Sequence, residues 1–233
     1  MLALPVLRRG GRKWTTALIA FTVGLLGILA VDGTLEAMDL NAAGPGAFGG
    51  NALVFLGAGL SFLALSGLDG WMKGRRRASE AAGASPWQLA LMVAIGIGLH
   101  NFGEGLAIGS AYAVGELALG AFLVVGFAIH NTTEGLAIVA PLANEKPRPG
   151  RLLGFGLIAG APAITGALVG GSVSSDEFAA ALIGIGVGAI IQVIVQLAPS
   201  MRDGSGRLLT PVTSVAIGLG ALVLYLTGLL VTV

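Results

Sequence analysis

Long apolar runs dominate the chain, broken at regular intervals by short connections that are either rich in Gly and Pro or charged. Seven runs, at about 14–37, 47–71, 87–114, 117–143, 152–174, 178–199 and 211–232, reach the roughly 20 residues that a helix needs to cross a hydrocarbon core. The connections fall at 41–46, 73–86, 115–116, 144–150, 174–177 and 202–211. The shortest, Gly115–Glu116, suits a hairpin of antiparallel neighbours. The pattern predicts an all-α, polytopic transmembrane helix bundle of seven spans, forming one domain over residues 1–233.

Composition moves the picture further toward lipid. Of 233 residues, 55% are hydrophobic and 11% charged, whereas a soluble domain carries about a quarter charged residues. Thirty-nine glycines and only two tyrosines argue against a β-barrel, whose strands alternate and carry aromatic girdles. Membrane helices use glycine for close packing. The absence of cysteine excludes disulfides, thiolate metal sites and iron–sulfur clusters. A net charge of +1 gives no global field for nucleic acid, which is not expected as a partner.

The placement of the charges orients the bundle. All 13 basic residues lie in the N-terminal arm (Arg8, Arg9, Arg12, Lys13) or after the second, fourth and sixth spans (Lys73, Arg75, Arg76, Arg77; Lys146, Arg148, Arg151; Arg202, Arg207). The remaining connections hold or adjoin acids: Asp39, Glu116, Asp176 and Glu177. The positive-inside rule then places the N-terminus in the cytoplasm and the C-terminus outside. The apolar run from Trp14 to Val31 is longer than a signal-peptide core and reads as a retained first span. Residues 73–86 read as a short, basic, disordered cytoplasmic loop whose arginines anchor topology.

Two segments carry the chemistry. HNFGEGLAIG (100–109) and HNTTEGLAIV (130–139) match at His, Asn, Glu, Gly, Leu, Ala and Ile. Each begins 13 residues into its span, roughly 20 Å along a helix and near the midplane. Because the two spans run antiparallel, the motifs can face each other. His and Glu four apart share one helical face. His100 and Glu104 with His130 and Glu134 therefore offer two imidazoles and two carboxylates. That set suits Zn²⁺, Fe²⁺ or Mn²⁺ and fits poorly with Mg²⁺ or Ca²⁺. Asn101 and Asn131, on adjoining faces, can add carbonyl oxygens, while Gly105 and Gly135 leave room for close helix contact. The two histidines are the only ones in the chain, and Glu104 and Glu134 are the only acids deep in a span. An ionised group at mid-membrane costs at least ~2.5–3.5 kcal/mol. A structural reading, in which each His pairs with its own Glu to lock the hairpin, accounts for one such pair better than for two at matched depth.

The motif pair resembles the ZIP (Zrt/Irt-like) family of divalent metal transporters, whose fourth and fifth spans carry HNxPEG and [HQ]xxPEG. Residues 20–38, 53–72, 160–170 and 186–200 look like the family's second, third, sixth and seventh spans. The resemblance implies that His100, Asn101, Glu104, His130, Asn131 and Glu134 hold the metal as bound substrate. It also implies an eight-span fold from which this chain departs by lacking the first span. The motif prolines are Gly103 and Thr133 here. Ala163 and Ile164 stand where many members have an acid followed by proline, and Gln196 and Ser200 replace acids of the seventh span. Those losses favour one ion over two.

The resulting expectation is transport of Zn²⁺, with Fe²⁺, Mn²⁺ or Cd²⁺ as other candidates, toward the cytoplasm. The chain would be a multi-pass protein of a prokaryotic plasma (inner) membrane, compatible with a homodimer, and no catalytic residue is expected. A non-transporting metal-binding subunit or sensor is the first alternative. An intramembrane metalloenzyme is the second, disfavoured because no acid or base is left over once four ligands are used and no HExxH is present. Asp32 and Glu36 read as an interfacial pair or a cation-attracting entrance, Asp69 as a partner for Lys73, and Gln192 and Gln196 as a polar path or an interhelical contact. Pro141, Pro162 and Pro199 are expected to kink or end helices.

Overall fold

The computed structural model describes residues 4–43, 50–81, 85–139, 142, 145, 147–173 and 175–231. Within them the chain forms α1 (Leu4–Ala43), α2 (Ala52–Ala81), α3 (Pro86–Ala113), α4 (Leu117–Val139), α5 (Pro149–Gly170), α6 (Asp176–Leu197) and α7 (Pro211–Val231), with a 3₁₀ turn at Ala198–Met201 after α6. Among the described residues there is no strand. Five helices (α1, α2, α3, α5 and α6) are long and apolar enough to cross a membrane. In α4 and α7 the apolar described stretches are shorter, Leu117–Ile129 and Pro211–Leu226.

Helix ends follow local chemistry. Ser85 begins α3 with a reciprocal capping box: its Oγ accepts from Gln88 N and its N–H donates to Gln88 Oε1. Ser175 caps α6 by accepting from Phe178 N, and Asp176 and Glu177 complement the helix dipole in the first turn. Prolines open α3, α5 and α7, where a missing N–H costs nothing. Pro199 lies in the 3₁₀ turn that ends α6, and Pro162 is inside α5. Pro141 lies outside the described residues.

Two segments are more helical than the sequence pattern suggests. The basic N-terminal arm belongs to α1. The segment read as a disordered loop, 73–86, is helical as far as Ala81, as a continuation of α2. Lys, Arg, Ala and Glu are strong helix formers, and extending an existing helix avoids the cost of nucleation.

Packing places α1, α3 and α6 at the centre. α6 touches α1, α2 and α3, and α3 packs most extensively on α5. Leu25, Leu26 and Leu29 of α1 meet Ile183, Val187 and Ile190 of α6, with Leu123 of α4 and Leu224 of α7, in one buried cluster. By contrast only 6% and 17% of the residues in the most apolar stretches of α2 and α5 are buried, and these helices present Phe55, Leu56, Leu60, Leu63, Leu157 and Leu168 outward. Apolar surface of this extent marks a membrane or protein partner, and with five helices long enough to cross a bilayer it fits a multi-pass membrane protein.

The connection after α6 is pinned by one side chain. Asp203 Oδ1 accepts from Ser205 N (2.8 Å), Ser205 Oγ (2.6 Å) and Arg207 N (2.9 Å). These bonds, the Ser205 hydroxyl first and then the Arg207 amide, hold the Asp203 carboxyl down at about 2. Because the folded value is depressed, the turn's contribution is complete above the ordinary carboxylate range and is lost as pH falls through about 2. Asp203→Ala is expected to loosen this turn at neutral pH, read as faster amide exchange at residues 203–207, with the transmembrane helices unaffected.

Candidate metal centre

The α3–α4 hairpin sets the geometry. Gly115, with φ +87°, makes the tight reversal, and Glu116 N donates to Ala111 O at 2.9 Å to close it. His100 stands 15 residues before Gly115 and His130 15 after it. Equal arms of about 22 Å bring the two motifs to one level. The contact is direct: Asn101 Nδ2 donates to Asn131 Oδ1 at 3.0 Å.

Around that bond lie the buried polar groups of α3. His100 and Glu104 are each 3% exposed and Asn101 is wholly buried. Asn131 is partly buried, and its Nδ2 donates to Phe127 O at 3.2 Å. His130 and Glu134 lie within α4, but their side chains are outside the described residues. Among the described residues no three His, Asp or Glu side chains converge on one point. Of the six motif residues, the structure therefore joins Asn101 to Asn131 and buries His100 and Glu104 beside them on α3.

A third helix, which the motifs do not announce, completes the arrangement. Asn101 Nδ2 also donates to Ala159 O of α5 at 2.9 Å. Pro162 cannot donate to Ile158 O, so the α5 ladder is interrupted one residue before that carbonyl. Close approach is possible because α3 and α5 meet backbone to backbone. A Cβ on Gly98 would stand 2.5 Å from Ile158 O, and one on Gly105 or Gly109 would collide with Ala163 O or Ala167 O. Glycines of α5 reciprocate, Gly166 against Phe102 O and Gly170 against Leu106 O. Pro162 together with this glycine spacing was the available signal for α5. It identifies a close-packed face without identifying its partner.

With its amide hydrogens directed to Asn131 and Ala159, Asn101 has an Oδ1 that is buried and accepts no hydrogen bond. A buried acceptor of this kind costs about 1–3 kcal/mol unless something else supplies positive charge or a donor. Glu104 in turn lines a narrow cleft whose other walls are apolar: Leu29 of α1, Ile108 of α3, Leu123 and Phe127 of α4 and Ile190 of α6. Gly103 is confined by Ala189, whose Cβ would be 3.1 Å from a side chain there. The carboxylate thus sits where four helices meet.

Other sequence candidates fall elsewhere. Asp32 is exposed, while Glu36 lies within hydrogen-bond reach of Glu116 at the far end of the α1–α4 seam. Asp69 pairs with Lys73 at 2.6 Å and accepts from Gln196 Nε2 at 3.3 Å, tying α2 to α6. Gln192 is buried in α6.

Asn101→Leu is expected to remove both interhelical bonds and leave Asn131 Oδ1 and Ala159 O without that donor. At about 1–3 kcal/mol for stranded polar groups, and somewhat less inside a membrane bundle, the thermal midpoint of the detergent-solubilised protein should fall by several degrees. An unchanged midpoint would show that the hydrogen bonds contribute nothing net.

No family model and no curated protein matches this chain.

Proposed function

We propose that the protein carries divalent transition-metal ions, Zn²⁺ foremost, across a membrane toward the cytoplasm, through a mid-membrane site built from the two HNxxEG motifs. The observation that supports this reading most is the meeting of Asn101 with Asn131 beside buried His100 and Glu104, with the Asn101 Oδ1 left without a donor. In the proposed bundle all seven helices span the membrane, with the basic connections on the cytoplasmic side.

Each residue has a part. His100 and Glu104 offer a nitrogen and a carboxylate from one face of α3, and His130 and Glu134 offer the same set from α4. Asn101 and Asn131 hold the motifs in register and present carbonyl oxygens. A mixed N/O site without thiolate binds zinc firmly enough to dehydrate it and weakly enough to release it. Protons compete for the same groups, so acid weakens binding.

Uptake into proteoliposomes loaded with a zinc-sensitive dye tests the reading. Wild-type protein should accumulate zinc and His100→Ala/Glu134→Ala should not, although both are folded. Equal uptake by the two would remove the proposal.

A further inference from the structure

The basic end of the bundle carries ordered features that transport does not use. α2 has 30 residues, about 45 Å of helix against a hydrocarbon core of about 30 Å. Its apolar part is complete at Trp71 and Met72, and Met72 packs beside Gly96 of α3. The next turns, still helical and exposed, carry Lys73, Arg75 and Arg77. Lys73 is neutralised by Asp69. Arg75 instead lies over the Trp71 ring, 4.6 Å from its centroid, and Trp71 is 57% exposed. Where α3 meets α5 the same pairing recurs, with the Arg151 guanidinium 4.9 Å from the centroid of Trp87, which stacks on Phe155.

Topology accounts for the sign of these charges and for the side on which they lie. It does not require two guanidiniums to be ordered on indole rings. A stacked guanidinium keeps its N–H donors in its plane, directed outward around the edge, in the fork that matches phosphate oxygens. Indoles favour the hydrocarbon–headgroup boundary, which puts those donors at the level of lipid phosphates. Basic clusters at the end of a spanning helix attract anionic lipid.

We propose that two separate clusters, Trp71 with Arg75 and Arg77 on α2 and Trp87 with Arg151 at the α3–α5 end, each bind the headgroup of an anionic phospholipid in the adjacent leaflet. The occupant is the phosphodiester of a bilayer lipid, held by the arginine forks, with its chains lying along the exposed apolar faces of α2 and α5.

Native mass spectrometry of the full chain released from nanodiscs of equal phosphatidylcholine and phosphatidylglycerol tests this. Wild type should retain phosphatidylglycerol with about tenfold preference, well within what three basic side chains at a headgroup surface supply. R75Q/R77Q/R151Q should approach parity with unchanged helix content. R8Q/R9Q/R12Q, which removes as many charges from the same end, should keep the preference, and millimolar inorganic phosphate should not displace the lipid. No wild-type preference, equal loss in the two triple variants, or displacement by inorganic phosphate would each overturn the proposal. Trp71→Leu should lower retention with every charge intact, and unchanged retention there would remove the stacked pair from the site.

Discussion

Glu104→Gln, at the proposed metal site, is expected to lower zinc affinity by about two orders of magnitude or more, with the stability of the metal-free protein little changed. The substitution keeps the shape of the side chain and removes its charge. Even outer-shell partners of a metal ligand are worth roughly 10–100-fold in affinity, and a direct carboxylate ligand in an apolar cleft should be worth more. Glu104 is 3% exposed, among Leu29, Leu123, Phe127 and Ile190. A large loss of affinity with little change in metal-free stability separates a metal ligand from a helix lock. Isothermal titration with Zn²⁺ and thermal unfolding with and without metal measure both. Unchanged affinity with a lower metal-free midpoint would assign Glu104 a structural role.

The largest loss of stability is expected from Gly105→Leu. A Cβ at 105 already collides with the Ala163 carbonyl, and the atoms it meets are backbone. No rotamer change relieves such a contact, so α3 and α5 must separate along the seam that also holds the Asn101–Ala159 bond. Overpacking costs about 1–3 kcal/mol where side chains can yield, and about 3 kcal/mol or more is expected here. Gly160→Ala is the matched control, since nothing lies within 4 Å of a Cβ at that position. It should be neutral or stabilise by about 0.5–1 kcal/mol through helix propensity. Unfolding midpoints of the two variants in one detergent check the pair. Similar midpoints would mean that the seam is more yielding than its geometry implies.

Gly105 reads in the motif as room for close helix contact, whereas only the structure shows that its Cβ position meets the Ala163 backbone while that of Gly160, another glycine in an apolar run, meets nothing within 4 Å. The same holds for Asn101. Its matched position in the repeat brought it forward as a candidate beside Asn131, and nothing in the motif pointed to Ala159 as its second partner. Residues 73–81 differ in the other direction. Their charge reads as a disordered loop, yet residues with high helix propensity carry α2 on as far as Ala81.

What the sequence by itself determined is local or symmetric. Apolar run lengths define the helices, the charged and Gly/Pro-rich breaks divide them, and equal spacing about Gly115 brings the two motifs to one level. These follow from rise per residue and from solvation, which act within a segment or across one short turn. Only the tertiary structure decided that α5 completes the Asn101 contact, that α1 and α6 wall the Glu104 cleft, and which glycines are irreplaceable. Those outcomes depend on how grooves on helices distant in sequence fit one another. Helix periodicity shows which residues share a face and does not say which helix that face will meet.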